Sequence, residues 1–333
     1  MKNDLQKLDF VAIGDIVIDS FIRLTHGHIT NDSSGKKELC MPYGEKIPFE
    51  FAEEVPAVGN SANASVSAAR LGLSSGLVVN IGDDQHGQEC IDRLKQEKVE
   101  TEFVNINKGL KTNYHYVLWF EKDRTILIKH EDYPLSLPNI GSPKMLYLSS
   151  LSEKSLPFHD QIADYLDAHP EIRLVFQPGT YQIKFGATAL KRIYKHTELF
   201  FCNVEEAQII LGTESHDLPT LLAGIKTLGP KIPVITDGSN GSYTYIDGKV
   251  VHLAMYPDVK PAYERTGAGD AFASTFSIAI LKGLDVGTAM KQGSINSMSV
   301  CEYVGAQKGL LNEEDLMNFM KNQPEGWNPK NIG

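Results

Sequence analysis

The 333-residue chain has few cysteines and no long apolar run. Its four cysteines lie far apart and form no Cys-x-x-Cys pair, which argues against a zinc ribbon and against a disulfide framework. No apolar segment approaches the roughly 18 residues that cross a bilayer, and the polar N-terminal residues lack the apolar stretch of a signal peptide. We therefore expect a cytoplasmic protein without a membrane partner.

Basic residues are also scarce, since 32 Lys and Arg stand against 42 Asp and Glu, for a formal net charge of -10. This balance argues against a nucleic-acid partner, although local groups can still hold a nucleotide. Two common nucleotide motifs are missing. No Gly-x-Gly-x-x-Gly follows the first apolar run, and no Gly-x-x-x-x-Gly-Lys-Ser/Thr occurs, which disfavours a Rossmann dehydrogenase and Walker-type phosphate binding.

Short apolar runs alternate with helix-length segments along most of the chain. Strands are predicted over residues 10–14, 76–81, 144–148, 173–177, 199–202 and 232–236, with helices that include 61–71, 91–98 and 271–282. The alternation predicts a single α/β domain over residues 1–333, with three layers (α/β/α) around a central, mainly parallel sheet. Strand-like pieces between polar stretches in 21–55 and 112–130 predict a small β-sheet lid inserted in that domain.

The most informative segment reads Glu-Arg-Thr-Gly-Ala-Gly-Asp-Ala-Phe, residues 264–272. Its glycines permit a tight turn, and the apolar helix that follows would leave the amides of Gly267, Ala268 and Gly269 free to bind an anion. Asp270 beside an anion site makes sense as a base that accepts a proton from an attacking hydroxyl. An N-capping aspartate after a glycine turn is the alternative interpretation.

Several segments in a fixed order resemble the ribokinase-like (PfkB) family of carbohydrate kinases, which phosphorylates sugars and nucleosides. They are Gly14–Asp19, Gly59–Gly72, Gly82–Asp84 with Gly87, Asn203–Glu206, Thr236–Gly238 with Gly241, and the Gly-Ala-Gly-Asp of 267–270. The resemblance covers nearly the whole chain. It implies ATP-dependent transfer of the γ-phosphoryl group to a primary hydroxyl of a sugar or of a nucleoside's ribose, with Asp270 as base and the Gly267–Gly269 amides as anion hole. A non-catalytic sugar- or nucleotide-binding protein on the same fold is the alternative.

The resemblance places the acceptor substrate near the first strand. It implies that Asp19 is the main acceptor of hydrogen bonds from substrate hydroxyls and that Asp15 is an accessory one. It also implies that Gly59, Asn60 and Asn63 form an adjoining wall. Turn formation by the aspartates and capping of the next helix by the polar residues at its start are the structural alternatives.

The same resemblance implies a nucleotide site and a magnesium site. The nucleotide-binding residues would be Asn203, Thr236, Gly238, Gly241 and, near the adenine, Asn296. Glu206 would hold Mg²⁺ through water, with Asn203 nearby. Each assignment has a structural alternative. Glu206 could interact only with the dipole of its helix, residues 236–241 could form a plain hairpin turn, and Asn296 could be buried with its hydrogen bonds made inside the protein.

Three departures from the family pattern leave details open. Glu264 stands where many relatives have aspartate, near a monovalent-cation loop at Val304–Ala306, so a potassium requirement stays open. Val58 replaces the first glycine of the family's usual pair. The segment 177–180, Gln-Pro-Gly-Thr, replaces an Asp-Pro-Asn type of sequence common in sugar kinases, which leaves the substrate open.

The proposed lid is rich in aromatic residues. A base-covering role would favour a nucleoside, whereas a role in lid packing or in a dimer contact would favour a simple sugar. The residues concerned are Phe49, Phe51, Tyr114, Tyr116 and Trp119. A homodimer through the lid is a further hypothesis, because the edge strands of a small sheet need cover.

Overall fold

The computed structural model describes residues 8–121 and 123–332. The strands are β1 (Phe10–Ile13), β2 (Val17–Leu24), β3 (His28–Asn31), β4 (Lys37–Cys40), β5 (Phe49–Val58), β6 (Ser75–Gly82), β7 (Val99–Glu100), β8 (Val104–Asn107), β9 (Tyr114–Phe120), β10 (Asp123–Leu127), β11 (Met145–Leu148), β12 (Arg173–Phe176), β13 (Thr197–Asn203), β14 (Ile232–Thr236), β15 (Ser242–Ile246), β16 (Lys249–Leu253) and β17 (Lys330–Asn331). The helices are α1 (Asn60–Arg70), α2 (Gln85–Gln96), α3 (Leu156–Ala168), α4 (Thr180–Ala189), α5 (Lys191–His196), α6 (Val204–Leu211), α7 (Leu218–Leu228), α8 (Ala268–Leu281), α9 (Val286–Val300) and α10 (Glu313–Lys321).

The large sheet has eleven strands in the order β17-β16-β15-β14-β13-β12-β11-β1-β6-β7, with β8 also paired to β6. Neighbours from β14 to β7 run parallel, whereas β15, β16 and β17 form an antiparallel edge. The predicted mainly parallel sheet is therefore confirmed. One helix starts earlier than predicted, at Gln85, because the Asp84 side chain accepts a hydrogen bond from the Gly87 amide and caps it.

Helices cover both faces of this sheet. In the fully buried strand β1, Phe10 and Ala12 point to one core while Val11 and Ile13 point to the other. Helices α1, α2, α8, α9 and α10 pack on the first core, and α3, α5, α6 and α7 on the second, which gives the predicted three layers. Within residues 8–121 and 123–332, no helix is long and apolar enough to cross a membrane.

A separate four-stranded sheet, in the order β10-β9-β2-β5, forms the lid. Strand β2 runs parallel to β9 and antiparallel to β5, so the two lid segments of the sequence join in one sheet. The sheet is longer than predicted, since β2 begins at Val17 and β5 continues to Val58. As a consequence, Asp19 belongs to the lid sheet itself and stands where that sheet meets the core.

Candidate active site

The predicted site residues gather at the carboxyl ends of the parallel strands. Asp15 follows β1, Gln177 follows β12, Asn203 ends β13 and Thr236 ends β14. Helix α8 begins at Ala268. Ligand crevices of open α/β sheets form at this edge, because the loops leaving neighbouring strands diverge there.

Asp270 is buried in the first turn of α8, and an amide holds each of its carboxylate oxygens. The Asn63 Nδ2 donates to Oδ2 at 2.8 Å, and the Gln177 Nε2 donates to Oδ1 at 3.1 Å. Burial raises the pKa of Asp270 despite these two hydrogen bonds, and the negative charge of Asp19 raises it further. A carboxylate held in this way, with a raised pKa, is suited to accepting a proton from a hydroxyl.

Gly267 is the residue before α8 and adopts the left-handed conformation, with φ 80°. A Cβ at this position would lie 2.3 Å from the Ala306 Cβ, so a larger residue does not fit. The first amides of a helix have no intrahelical acceptor. Outside its chain neighbours and the backbone of its own helix, no described atom lies within 4 Å of a Cβ built on Gly269, and Ala268 and Gly269 line the cavity described below. The anion hole of Gly267, Ala268 and Gly269 stays a prediction.

The two carboxylates predicted to bind the substrate lie beside two histidines. The His115 Nδ1 is 3.4 Å from the Asp19 Oδ1, and the His130 Nδ1 is 3.6 Å from the Asp15 Oδ2. The centres of the two imidazole rings are 5.3 Å apart. Burial raises the pKa of Asp15 to about 7, while burial and the neighbouring His115 lower the pKa of His130.

Sequence reasoning missed both histidines. Neither has a local motif, and His115 reaches the site only because the parallel pairing of β2 with β9 sets it opposite Asp19. His130 follows the end of β10, and the neighbouring Glu131 amide is fixed by a hydrogen bond to the Asn113 Oδ1. The lid topology, rather than any sequence pattern, therefore brings the two rings together.

The residues predicted to form a wall around Gly59 make contacts within the protein. Gly59, rather than Asn60 or Ser61, is the N-cap of α1, and the Ser61 hydroxyl donates to the Asp15 carbonyl at 2.8 Å. Asn63 is buried, and its Oδ1 accepts a hydrogen bond from Gln307 at 3.2 Å while its Nδ2 holds the Asp270 carboxylate. Asn63 thus holds the Asp270 carboxylate in position. Direct contacts of Gly59, Asn60 and Asn63 with a substrate stay predictions.

A cavity extends from the turn after β14 to the start of α8. Its lining includes the predicted residues Thr236, Gly238, Gly241, Ala268 and Gly269, and the apolar residues Met255, Phe272 and Met298. Gly241 has φ 102°, and a Cβ there would lie 2.1 Å from the Leu253 carbonyl oxygen, so the turn needs glycine. The turn also joins β14 and β15 as a hairpin, and its binding of a nucleotide stays a prediction. Arg265, which sequence reasoning did not single out, supplies a cation to the cavity.

Asn203 and Glu206 cap helix α6 reciprocally. The Asn203 Oδ1 accepts from the Glu206 amide at 2.8 Å, and the Glu206 Oε2 accepts from the Asn203 amide at 2.9 Å. Burial raises the pKa of Glu206, the Asn203 amide opposes this, and the charge of Asp270 adds to it. A divalent cation nearby would relieve the crowding of negative charge, so the carboxylate fits a Mg²⁺ held through water.

The rest of a magnesium shell would have to come from phosphate and water. Among the residues that the structure describes, no three or more His, Cys, Asp or Glu side chains are grouped so as to hold a metal ion. Magnesium commonly retains several waters and binds through substrate phosphates in phosphoryl-transfer sites. The single carboxylate of Glu206 is consistent with that mode.

Asn296 requires a correction, because it is not among the residues that line the cavity. It is fully buried in α9, where its Nδ2 donates to the Thr275 Oγ1 at 2.7 Å and its Oδ1 accepts from the Leu311 amide at 2.9 Å. The side chain connects α9 to α8 and to the segment before α10. Its neighbour Ser297 faces the cavity instead.

Glu264 lies behind the anion-hole turn and is buried. Its Oε1 accepts from the Gly305 amide at 3.0 Å, and its Oε2 accepts from the Thr266 amide at 2.6 Å. The Arg124 Nε of the lid lies 4.0 Å from the same Oε2. A cation of the chain itself therefore stands next to the carboxylate at which the potassium requirement was left open.

The family model described as pfkB family carbohydrate kinase matches residues 24–313. The chain belongs to this family. The kinase is 28% identical to ribokinase of Bacillus subtilis (strain 168) over 289 residues, which cover 83% of this chain and 92% of the relative. It is 25% identical to 5-dehydro-2-deoxygluconokinase of Bacillus velezensis over 349 residues, covering 96% and 97% of the two chains.

The fold of the kinase also matches a solved structure, Arabidopsis thaliana ribokinase complexed with ribose and ATP. The TM-score is 0.78, with 17% identity over 95% of this chain and 99% of that chain. The ribokinase-like fold is thereby established, with a large mainly parallel sheet and a small lid sheet. The family assignment makes the protein a sugar or nucleoside kinase, that is, a phosphotransferase with an alcohol group as acceptor.

Proposed function

We propose that the protein transfers the γ-phosphoryl group of ATP to a primary hydroxyl of a sugar. The observation that carries this proposal is the position of Asp270, which is buried between two amide donors in the first turn of the helix that faces the nucleotide cavity. A proton acceptor and a set of anion-binding amides therefore lie within one helical turn. Phosphoryl transfer needs these two functions at adjacent atoms.

In the proposed reaction, Asp270 accepts the proton of the substrate hydroxyl as the hydroxyl oxygen attacks the γ-phosphorus. The bond between that phosphorus and the β,γ-bridging oxygen breaks, and ADP leaves with the bond's electron pair. The amides of Gly267, Ala268 and Gly269 stabilise the charge on the phosphoryl oxygens. Glu206 would hold magnesium, which neutralises phosphate charge, and the lid would exclude water that otherwise hydrolyses ATP.

The nucleotide would occupy the cavity between the turn after β14 and helix α8. Thr236, Gly238 and Gly241 contribute polar atoms and close main-chain approach, while Met255 and Met298 offer apolar surface for a base. The related ribokinase structure with bound ATP supports this donor. Asn203 stands at the start of α6, next to the proposed magnesium site, where it holds Glu206 in position.

The packing of the lid aromatics favours a sugar over a nucleoside. Trp119 is only 4% exposed and meets Phe51 and Tyr263 edge-on, with ring centres 6.1 Å and 4.9 Å apart. Tyr114 packs on Tyr116, with ring centres 5.0 Å apart, and its hydroxyl donates to Glu54. The Trp119 ring therefore packs inside the protein and offers no open platform for a base, while Tyr116 is 47% exposed.

The test is a coupled ADP-release assay with magnesium-ATP against uncharged sugars, sugar acids, sugar phosphates and nucleosides, run beside Asp270→Asn. We expect the variant to lose at least about a hundredfold in kcat, the lower range for a positioned acid or base. Asp217→Asn is the matched control, because it exchanges the capping aspartate of α7, where asparagine caps equally well. We expect the control to keep full activity.

Two results would contradict the proposal. An Asp270→Asn protein that binds sugar and ATP and keeps full turnover would defeat the assignment of the base. A wild-type protein that binds these compounds but turns over none of them would favour the non-catalytic binding role on the same fold.

We also propose that the lid forms a homodimer contact. Exposed apolar side chains are concentrated there, with Phe49 54% and Leu127 51% exposed on the two edge strands and Tyr116 47% exposed between them. Burial of such side chains against a second copy would remove apolar surface and cover the strand edges. Light scattering after size exclusion should give a dimer, and a monomer alone at micromolar concentration would refute it.

A further inference from the structure

The proposed sugar end of the cleft holds buried polar atoms that make no hydrogen bond within the protein. Among the described residues these include the Asp15 Oδ2, the His130 Nδ1 and the His115 Nε2. A buried polar atom without a hydrogen bond costs free energy, so native proteins satisfy nearly all of them. Three such atoms on side chains that adjoin one another indicate a site that a ligand completes.

The arrangement pairs an acceptor with a donor twice. One pair is Asp15 with His130, separated by 3.6 Å, and the other is Asp19 with His115, separated by 3.4 Å. An oxygen atom can come within hydrogen-bond distance of both members of either pair. A hydroxyl matches each pair, because it donates one hydrogen bond to the carboxylate while it accepts another from the imidazole.

This end of the cleft is lined by acidic side chains, of which Asp15 has a pKa raised by burial to about 7 and is only partly ionised at neutral pH. Asp15, Asp19 and Asp270 supply three carboxylates, and the ion-pair partners of Asp15 and Asp19 within the described part of the chain are histidines. No Lys or Arg of that part lies within 4.0 Å of these three carboxylates, and Lys129, next to His130 in sequence, pairs with Glu131 at 2.8 Å. A carboxylate or phosphate on the substrate would meet like charges here without a fixed cation to offset them.

We propose that His115 and His130 bind substrate hydroxyls together with Asp19 and Asp15, and that this site selects an uncharged polyhydroxylated sugar over a sugar acid or sugar phosphate. The proposal rests on the proposed kinase function. It adds two specificity-determining residues, His115 and His130, and predicts that the acceptor carries no negative charge. Because strand β9 carries one histidine and the segment after β10 the other, substrate contact also connects the lid to the loop that follows β1.

The test measures binding by calorimetry with the full chain and a non-hydrolysable ATP analogue. The uncharged probes are D-ribose and D-fructose, and the anionic probes are D-gluconate and D-ribose 5-phosphate. We expect at least one uncharged sugar to bind at least about tenfold tighter than both anions, and His115→Ala and His130→Ala each to weaken that sugar about tenfold or more. His196→Ala is the matched control, because it removes a histidine paired with Asp167 on the α3–α5 side of the protein, and its binding should match the wild type.

The glutamine variants keep the experiment interpretable if alanine disturbs the lid. His115→Gln and His130→Gln retain an N–H donor, so we expect them to recover part of the affinity. In turnover, the alanine variants should raise KM about tenfold or more and the glutamine variants should raise it less, while kcat changes less than about threefold in all four, because the base and the anion hole are untouched. An unfolded lid would instead lower both kcat and the melting temperature.

Three outcomes would overturn the proposal. They are an anionic probe that binds as tightly as the uncharged sugars, no binding by either uncharged sugar, and unchanged affinity in both histidine variants. The kinase function fails separately, since a protein that binds D-ribose through both histidines but does not phosphorylate it would refute catalysis and support the histidine assignment. Phosphorylation of D-ribose with an unchanged KM in both variants would support catalysis and refute the histidine assignment.

Discussion

The proposed sugar end and the proposed nucleotide end of the cleft are built differently. At the sugar end, side chains converge, namely Asp15 and Asp19 with His115 and His130. At the nucleotide end, the site is formed mainly by main-chain groups of the glycine turns at 238–241 and 267–269. A side-chain site changes its preference by substitution, whereas a main-chain site depends on local geometry. The similar curated relatives carry different names, ribokinase and 5-dehydro-2-deoxygluconokinase.

The largest effect should come from disturbing the main-chain end. Gly267→Ala should lower kcat by at least about a hundredfold, because it displaces the anion-hole amides. It should also lower the free energy of unfolding by about 2–4 kcal/mol, because alanine is strained at φ 80° and its Cβ would collide with Ala306. Steady-state kinetics and urea denaturation measure the two losses.

Gly269→Ala is the matched control for stability. Its Cβ would meet no atom within 4 Å, and alanine is the better helix former, so the free energy of unfolding should not fall. Equal losses of stability in the two variants would contradict the geometry described for this turn.

At the sugar end, the pH dependence of the free energy of unfolding should reveal the raised pKa of Asp15. Burial raises the pKa of Asp15 from 3.8 to about 7, so between these values the folded state keeps a proton that the unfolded state releases. The contribution of Asp15 to stability should therefore fall as pH rises from 4 to 7. Asn has no such proton, so between pH 5 and pH 7.5 the Asp15→Asn variant should lose about 2 kcal/mol less than the wild type.

This figure is below the full linkage value because the Asp15 side chain keeps 16% of its surface exposed. Urea denaturation of both proteins at the two pH values provides the measurement. If the free energy of unfolding changes equally with pH in the wild type and the variant, folding does not raise the pKa of Asp15.

A smaller effect is expected at the proposed magnesium site between the two ends of the cleft. Glu206→Gln should raise the magnesium concentration for half-maximal activity about tenfold, because the side chain can still cap Asn203 but no longer carries the charge that attracts the ion. Glu205→Gln is the matched control, since Glu205 occupies the same helical turn and is exposed. Titration of activity with magnesium at saturating ATP decides the matter, and equal shifts in both variants would remove Glu206 from the site.

The smallest effect concerns potassium. Because Arg124 already lies beside the buried Glu264 carboxylate, we expect replacement of potassium by sodium to change kcat by less than about twofold. The comparison is made at constant ionic strength. Activation above about tenfold by potassium would show that the guanidinium does not take over the role of a cation at this loop.

Parts of the molecule could be predicted because their signals are local. The alternation of apolar strands with helices predicted the three-layer fold. Strands β1, β6 and β11 to β14 were located to within a few residues, whereas the short parallel strands β7 and β8 were missed. The turns at Gly241 and Gly267 were found because positive φ and tight contacts admit only glycine, which leaves a mark in the sequence. Asp270 was found because it follows such a turn at the start of an apolar helix.

By itself, then, the sequence determined the layered α/β fold, the lid segments and the glycine turns, because hydrophobic period and backbone conformation are properties of neighbouring residues. Only the tertiary structure determined which residues far apart in the chain contact one another. The register of β2 with β9 set His115 against Asp19, and the packing of α9 against α8 satisfied Asn296 internally and left Ser297 to face the cavity. Hydrogen bonds and charges act through space, so contacts between residues far apart in the chain are fixed only when the elements that carry them have packed.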